Sequence, residues 1–177
     1  MRQRAIVVDY GVDKLRSVTR AVARCGFEPV LSSDVREIEG CERLILPGVG
    51  AFGSCVAALR SHGFLDPVTR VMDSGRPVLG ICVGMQMLLE SSEEFGQHEG
   101  LARIPGKVRA VPPTGADGTD HKIPHIGWAG LSPAGLEWSN TILAGIDSGA
   151  SCYFVHSFAA VPARSDNVLA TTDPRRG

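Results

Sequence analysis

Val78-Leu79-Gly80-Ile81-Cys82-Val83-Gly84-Met85-Gln86 is the stretch whose reading decides the fold. A short apolar run passes into Gly-x-Cys-x-Gly, and helix-forming residues follow at once. This is the order expected of a nucleophile elbow, in which a strand turns sharply into a helix and presents one side chain at the bend. Side chains beside such a bend would collide, and glycine on both sides removes the collision. A helix starting at the sulfur would bring amide N–H groups and a positive dipole end to it, which favours thiolate. Val83 N–H would then stand where an oxyanion is received. The ordinary alternative is a buried cysteine in a turn relaxed by glycine. The pattern alone leaves both open.

Outward from the elbow, the first half alternates strand and helix. Arg4 to Val8, Phe27 to Leu31, Arg43 to Leu46 and Pro77 to Ile81 read as strands. Asp13 to Cys25 carries Leu15, Val18, Ala21, Val22 and Cys25 at helical spacing, with Gly26 at its end. Ser54 to Ser61 and Phe64 to Ser74 read as helices closed by Gly63 and Gly75, and Met85 to Glu90 as the start of another. The alternation predicts an α/β fold: a doubly wound, mostly parallel sheet with helices on both faces. From Glu99 on, helical periodicity is lost. Lys107 to Val111, Ile126 to Leu131, Ser151 to Phe158 and Val168 to Thr172 read as strands of an antiparallel, β-rich second half. Pro112 to Lys122 reads as an exposed loop. With no linker and no repeat, residues 1–177 are expected to form a single domain.

Composition removes several classes. Lys and Arg number 18 against 19 Asp and Glu, so the net charge is −1. A nucleic-acid binder needs a basic excess or stripe, and only Arg175-Arg176 pairs near an end. No apolar run reaches the ~18–20 residues that span a bilayer, and Asp9 cuts short the apolar run Ala5 to Val8, so no signal-peptide core is expected. Neither nucleic acid nor membrane is therefore expected as a partner. Five widely spaced cysteines, with no Cys-x-x-Cys, argue against disulfides and zinc and for a cytoplasmic protein. No metal and no cofactor is expected.

A second glycine-rich turn, Pro47-Gly48-Val49-Gly50-Ala51-Phe52-Gly53, contains a Gly-x-Gly-x-x-Gly. A dinucleotide fingerprint belongs after the first strand, and the next strand here ends at Cys82 rather than at an acidic residue. The turn reads better as a loop facing the elbow, with Val49 or Gly50 N–H available to an oxyanion. A thiol nucleophile also needs a base. His62 ends a helix, and His98 lies in the acidic Ser91–Glu99 stretch, which reads as a solvated face. His121 and His125 are separated by Pro124, which disfavours a helical metal pair. His156 alternates with Phe154 and Phe158 on a strand. None has a carboxylate at an informative spacing.

Taken together, Asp9-Tyr10-Gly11 with Leu15-Arg16-Ser17-Val18, Leu46-Pro47-Gly48-Val49-Gly50-Ala51-Phe52, Gly80-Ile81-Cys82-Val83-Gly84-Met85-Gln86, Pro124-His125-Ile126-Gly127-Trp128 and Tyr153-Phe154-Val155-His156-Ser157 carry a resemblance. The sequence resembles the glutamine amidotransferase subunits of imidazole glycerol phosphate synthase, among the class I, triad-type amidotransferases. The resemblance implies a flavodoxin-like amidotransferase fold and a glutaminase. Cys82 would attack the side-chain amide of glutamine, Val49, Gly50 and Val83 would hold the oxyanion, and Gln86 would help bind glutamine. It further implies a (β/α)8-barrel cyclase subunit as heterodimer partner, receiving the ammonia for histidine biosynthesis.

Departures from the family pattern accompany the likeness. The family's His-Pro-Glu segment, which supplies base and orienting carboxylate, does not occur in the 177 residues. After Val168 to Thr172 stands Asp173-Pro174-Arg175-Arg176-Gly177, so a truncated or frame-shifted chain without the last strands and helix is expected. Losing a nucleophile's base commonly removes about 10⁴–10⁶ in rate. Asp13-Lys14 replaces the usual Gly-Asn, and Ala129 stands where Asn commonly follows the Trp. A catalytically inactive partner-binding module, or an unrelated cysteine hydrolase using His125 or His156, are the alternative expectations.

Overall fold

A computed structural model of the chain describes residues 2–115, 118–120 and 122–172. His121 and the segment Asp173–Gly177 lie outside the described residues. The described chain forms two compact units, Met1–Arg103 and Ile104–Gly177.

The first unit is the α/β unit. Its elements are β1 (Arg4–Val8), α1 (Leu15–Arg24), β2 (Glu28–Ser32), α2 (Val35–Glu39), β3 (Leu44–Gly48), α3 (Phe52–Ser61), α4 (Leu65–Asp73), β4 (Val78–Cys82), α5 (Val83–Gln86), β5 (Leu89–Ser92) and β6 (His98–Glu99). The first four strands form a parallel sheet in the order β2-β1-β3-β4. β1 lies inside it and is buried on both faces, with Ala5, Ile6, Val7 and Val8 at most 4% exposed. Leu15, Val18 and Val22, one face of α1, pack on Ala5, Val7 and Ile45. Gly26 follows α1 with φ +89, the left-handed turn that a helix end asks of glycine.

Two elements of this unit differ from expectation. The helix expected over Met85 to Glu90 is one turn, after which Leu89–Ser92 is a strand. The carbonyls of Met87, Leu88 and Leu89 accept from the amides of Leu101, Arg103 and Ala102, so the returning chain takes the acceptors a longer helix would have used. Helix α2 was not anticipated. Its local signal is Asp34, whose carboxylate accepts from Arg36 N–H at 2.7 Å, with Glu37 three residues on in the spacing of a capping box.

The second unit is antiparallel. β7 (Ile104–Ala110) pairs with β10 (Phe158–Pro162), and β8 (His125–Pro133) lies between β9 (Ser151–His156) and β11 (Ala170–Thr172). The strand expected as Ser151 to Phe158 is thus two strands. Ser157 is the joint, its carbonyl accepting from Val111 N–H, and the chain changes partners there. Trp138 is nearly buried and donates its indole N–H to Leu169 O at 3.0 Å. No described helix is long and apolar enough to cross a membrane.

Candidate active site

The parallel register sets Gly48 beside Cys82, so the turns leaving β3 and β4 lie side by side. Cys82 is the last residue of β4 and the cap of α5, with φ 54 and ψ −120. Such backbone angles are rare for a residue bearing a Cβ and cost of order 1–3 kcal/mol, which the surroundings must offset. The side chain is exposed.

Glycine is required on three sides of this bend by direct contact. A Cβ on Gly84 would stand 1.9 Å from Leu46 O, and one on Gly48 would stand 2.3 Å from Gly84 N. A Cβ on Gly80 would stand 2.5 Å from Met85 Cα. The closest contacts of the elbow are therefore backbone on backbone, with the Val83 Cβ also set against Gly48. Because α5 is a single turn, the dipole behind the sulfur reduces to the amides of that turn. Val83 is 5% exposed and Gln86 9% exposed.

The loop after β3 faces the same end of the sheet. Gly50 has φ +96 with nothing within 4 Å of an added Cβ, and Val49 is 38% exposed. Ala51 caps α3 without a side-chain acceptor. The acceptor comes instead from Glu94, whose carboxylate takes the Phe52 N–H at 2.6 Å. Glu94 is itself turned by its own N–H donating to the hydroxyl of buried Ser92. The His98 ring lies against Gly53, where a Cβ would come within 2.6 Å of it. The Ser91–Glu99 stretch is thus not the solvated face expected. It is a hairpin that pins the first turn of α3, and the Glu94–Phe52 contact spans 42 residues that no local pattern connects.

His62 ends α3, its Nδ1 donating to Ala58 O at 2.9 Å. His125 and His156 face each other across β8 and β9. His156 Nδ1 donates to Phe158 O at 3.0 Å, which leaves its Nε2 to accept from His125 Nδ1 at 3.1 Å. His125 is 5% exposed and stacks on Phe154. His125 Nδ1 and both ring nitrogens of His156 are held in this way, an arrangement that fixes tautomers and locks the ribbon. Among the described residues, no group of His, Cys, Asp and Glu is arranged to hold a metal ion.

Comparison with known proteins agrees with this geometry. The family "Glutamine amidotransferase class-I" matches residues 6–175. The imidazole glycerol phosphate synthase subunit HisH 1 of Legionella pneumophila (strain Lens) is 48% identical over 168 residues, covering 94% of this chain and 79% of that protein. The HisH subunit of Geobacter sulfurreducens is 42% identical over 167 residues, covering 94% and 78%. Among solved structures, a glutamine amidotransferase superposes with a TM-score of 0.65 at 21% identity, covering 93% of this chain and 78% of that one. PurLQS from Thermotoga maritima gives 0.65 at 20%, covering 97% and 75%; both likenesses speak for the fold alone. The chain belongs to the class-I glutamine amidotransferase family, and the reading as an unrelated cysteine hydrolase ends there.

Proposed function

We propose that this member of the class-I glutamine amidotransferase family is the glutaminase subunit of an imidazole glycerol phosphate synthase. One observation carries the reading: Cys82 stands exposed on a strained, glycine-walled bend, level with the Gly48–Gly50 loop. Cys82 thiolate adds to the side-chain amide carbon of glutamine. The oxyanion is received by Val83 N–H and by an N–H of the Val49–Gly50 loop, and Gln86 binds the glutamine. Ammonia leaves, and water cleaves the thioester to glutamate. The proton steps belong to the family's His-Pro-Glu segment, which these 177 residues do not contain. The two units are read here as one amidotransferase domain, a reading supported by a family match over residues 6–175. Five free thiols accord with a reducing, cytoplasmic setting.

The test is labelling by a glutamine-shaped chloroketone, with the adduct located by mass spectrometry. Saturable modification of Cys82, prevented by glutamine and not by asparagine, is expected. Non-saturable labelling, or labelling spread over Cys25 and Cys152, refutes the reading.

A second reading concerns the partner. Ile126 and Trp128 on β8 and Val155 and Tyr153 on β9 stand opposite each other in register on one face of the ribbon, each between 56% and 61% exposed. Apolar residues gathered this way mark a surface that another body covers. Docking of a (β/α)8-barrel cyclase subunit accords with it, and would survive loss of Cys82. Co-purification of the Cys82→Ala chain with that subunit, lost on Trp128→Ala, is expected; equal recovery of both variants refutes it.

A further inference from the structure

We propose that Tyr10 and Cys55 are positioning residues that hold the oxyanion loop from beneath by hydrogen-bonding the carbonyls of Pro47 and Val49. The proposal rests on the reading of Val49 and Gly50 given above and adds what orients the Gly50 N–H and the start of the loop. Tyr10 follows β1 in a turn closed by Gly11 N–H donating to the Asp9 carboxylate. Its ring is fully buried, and its hydroxyl donates to Pro47 O across 37 residues of chain. Cys55 lies in the first turns of α3, is 2% exposed, and donates its S–H to Val49 O at 3.4 Å.

The loop has no comparable anchor of its own. Gly48 and Gly50 bear no side chain, and Val49 points partly into solvent. Its orientation therefore comes through its carbonyls. In a trans peptide the C=O and the following N–H point in opposite directions. Holding Val49 O down toward Cys55 aims Gly50 N–H away from the buried pair, and holding Pro47 O does the same for Gly48 N–H. An N–H aimed before the reaction begins stabilises an oxyanion without reorganisation. Burial pushes the Tyr10 phenol well above its ordinary range and the Cys55 thiol upward, so both keep the protons they donate.

The experiment contrasts two alkylators of Cys82. A glutamine-shaped chloroketone is first attacked at its carbonyl, placing an oxyanion; sulfur then bonds the adjacent methylene carbon as chloride leaves, and the carbonyl re-forms as the first carbon–sulfur bond breaks. Iodoacetamide loses iodide by direct displacement and forms no oxyanion. Saturation rate and half-saturation concentration are measured for the wild-type chain, Tyr10→Phe, Cys55→Ala and Cys55→Ser. Tyr10→Phe and Cys55→Ala are expected to lower the chloroketone saturation rate about tenfold, less than the ~10²–10³ lost with an oxyanion donor outright. Half-saturation should stay within about twofold, since the effect appears with the oxyanion. Iodoacetamide rates should not change, and Cys55→Ser, which keeps a donor, should retain the wild-type rate. Unchanged chloroketone rates in the variants overturn this proposal alone. A parallel fall in both alkylators also overturns it, because the elbow itself would then have moved. A wild-type chain that is not saturably labelled overturns the glutaminase reading and this one with it.

Discussion

Replacing Gly84 by alanine tests the elbow at its tightest contact. The new Cβ would lie 1.9 Å from Leu46 O, whereas ordinary contact begins near 3.4 Å, so β3 and α5 must part by about 1.5 Å. The obstacle is backbone on both sides, and no rotamer relieves it. A strand pair spaced ~4.8 Å apart does not open that far and keep its hydrogen bonds. Gly48↔Cys82 and Leu46↔Gly80 are the positions that open. Overpacking contributes roughly 1–3 kcal/mol, and lost ladder bonds add about 1 kcal/mol each. We expect a loss of about 3–5 kcal/mol, seen as a fall of roughly 10 °C in Tm for a chain of this size. Gly63→Ala is the control: φ is +72 there, nothing lies within 4 Å, and only left-handed strain of about 1–2 kcal/mol is incurred. Thermal melts followed by circular dichroism compare the two. If Gly84→Ala melts within about 0.5 kcal/mol of Gly63→Ala, the close-contact account of the elbow is wrong.

Further outcomes are expected elsewhere. Glu94→Ala removes the acceptor of Phe52 N–H and should cost about 1–2 kcal/mol, with faster hydrogen exchange at the start of α3. Unchanged exchange at Phe52 would count against the clamp. Lys14→Asn should raise stability by about 0.5–1 kcal/mol, because Lys14 holds φ 64 at the cap of α1 without a side-chain bond, and asparagine suits both roles. Denaturant midpoints decide it. Native thiol titration should find Cys25, Cys82 and Cys152 reactive, with Cys41 and Cys55 reacting only on unfolding. Burial raises the Cys41 and Cys55 thiols, so the unfolded chain ionises first; stability should be intact below about pH 8.5 and decline above it. A flat alkaline limb in the melting temperature would contradict this.

What could be read from the sequence is what local chemistry dictates. Gly80, Cys82 and Gly84 announce the bend because sterics at a strand-to-helix turn act between near neighbours. Glycines at positions 26, 63 and 75 announce helix ends for the same reason, and each has positive φ. Ser91–Glu99 reads as a solvated face because its polar residues answer to distant ones, Glu94 to Phe52 and His98 to Gly53, that no local pattern reveals. The expected helix over Met85 to Glu90 failed similarly, its periodicity overridden by pairing with residues 101–103. Cys55 leaves no signal and Tyr10 none beyond its place in Asp9-Tyr10-Gly11, since a carbonyl acceptor has no identity in a sequence.

The close approach of β3 and α5, main chain against main chain at Gly48 and Gly84, has a consequence for how this protein can drift. Core side chains exchange volume over evolutionary time, and the exchange ordinarily shifts whatever rests on them. Here the sulfur's perch is fastened by peptide groups that every residue shares. Repacking elsewhere in the α/β unit has little leverage on it, so diverging copies can rewrite their interiors and still inherit the same thiol in the same place.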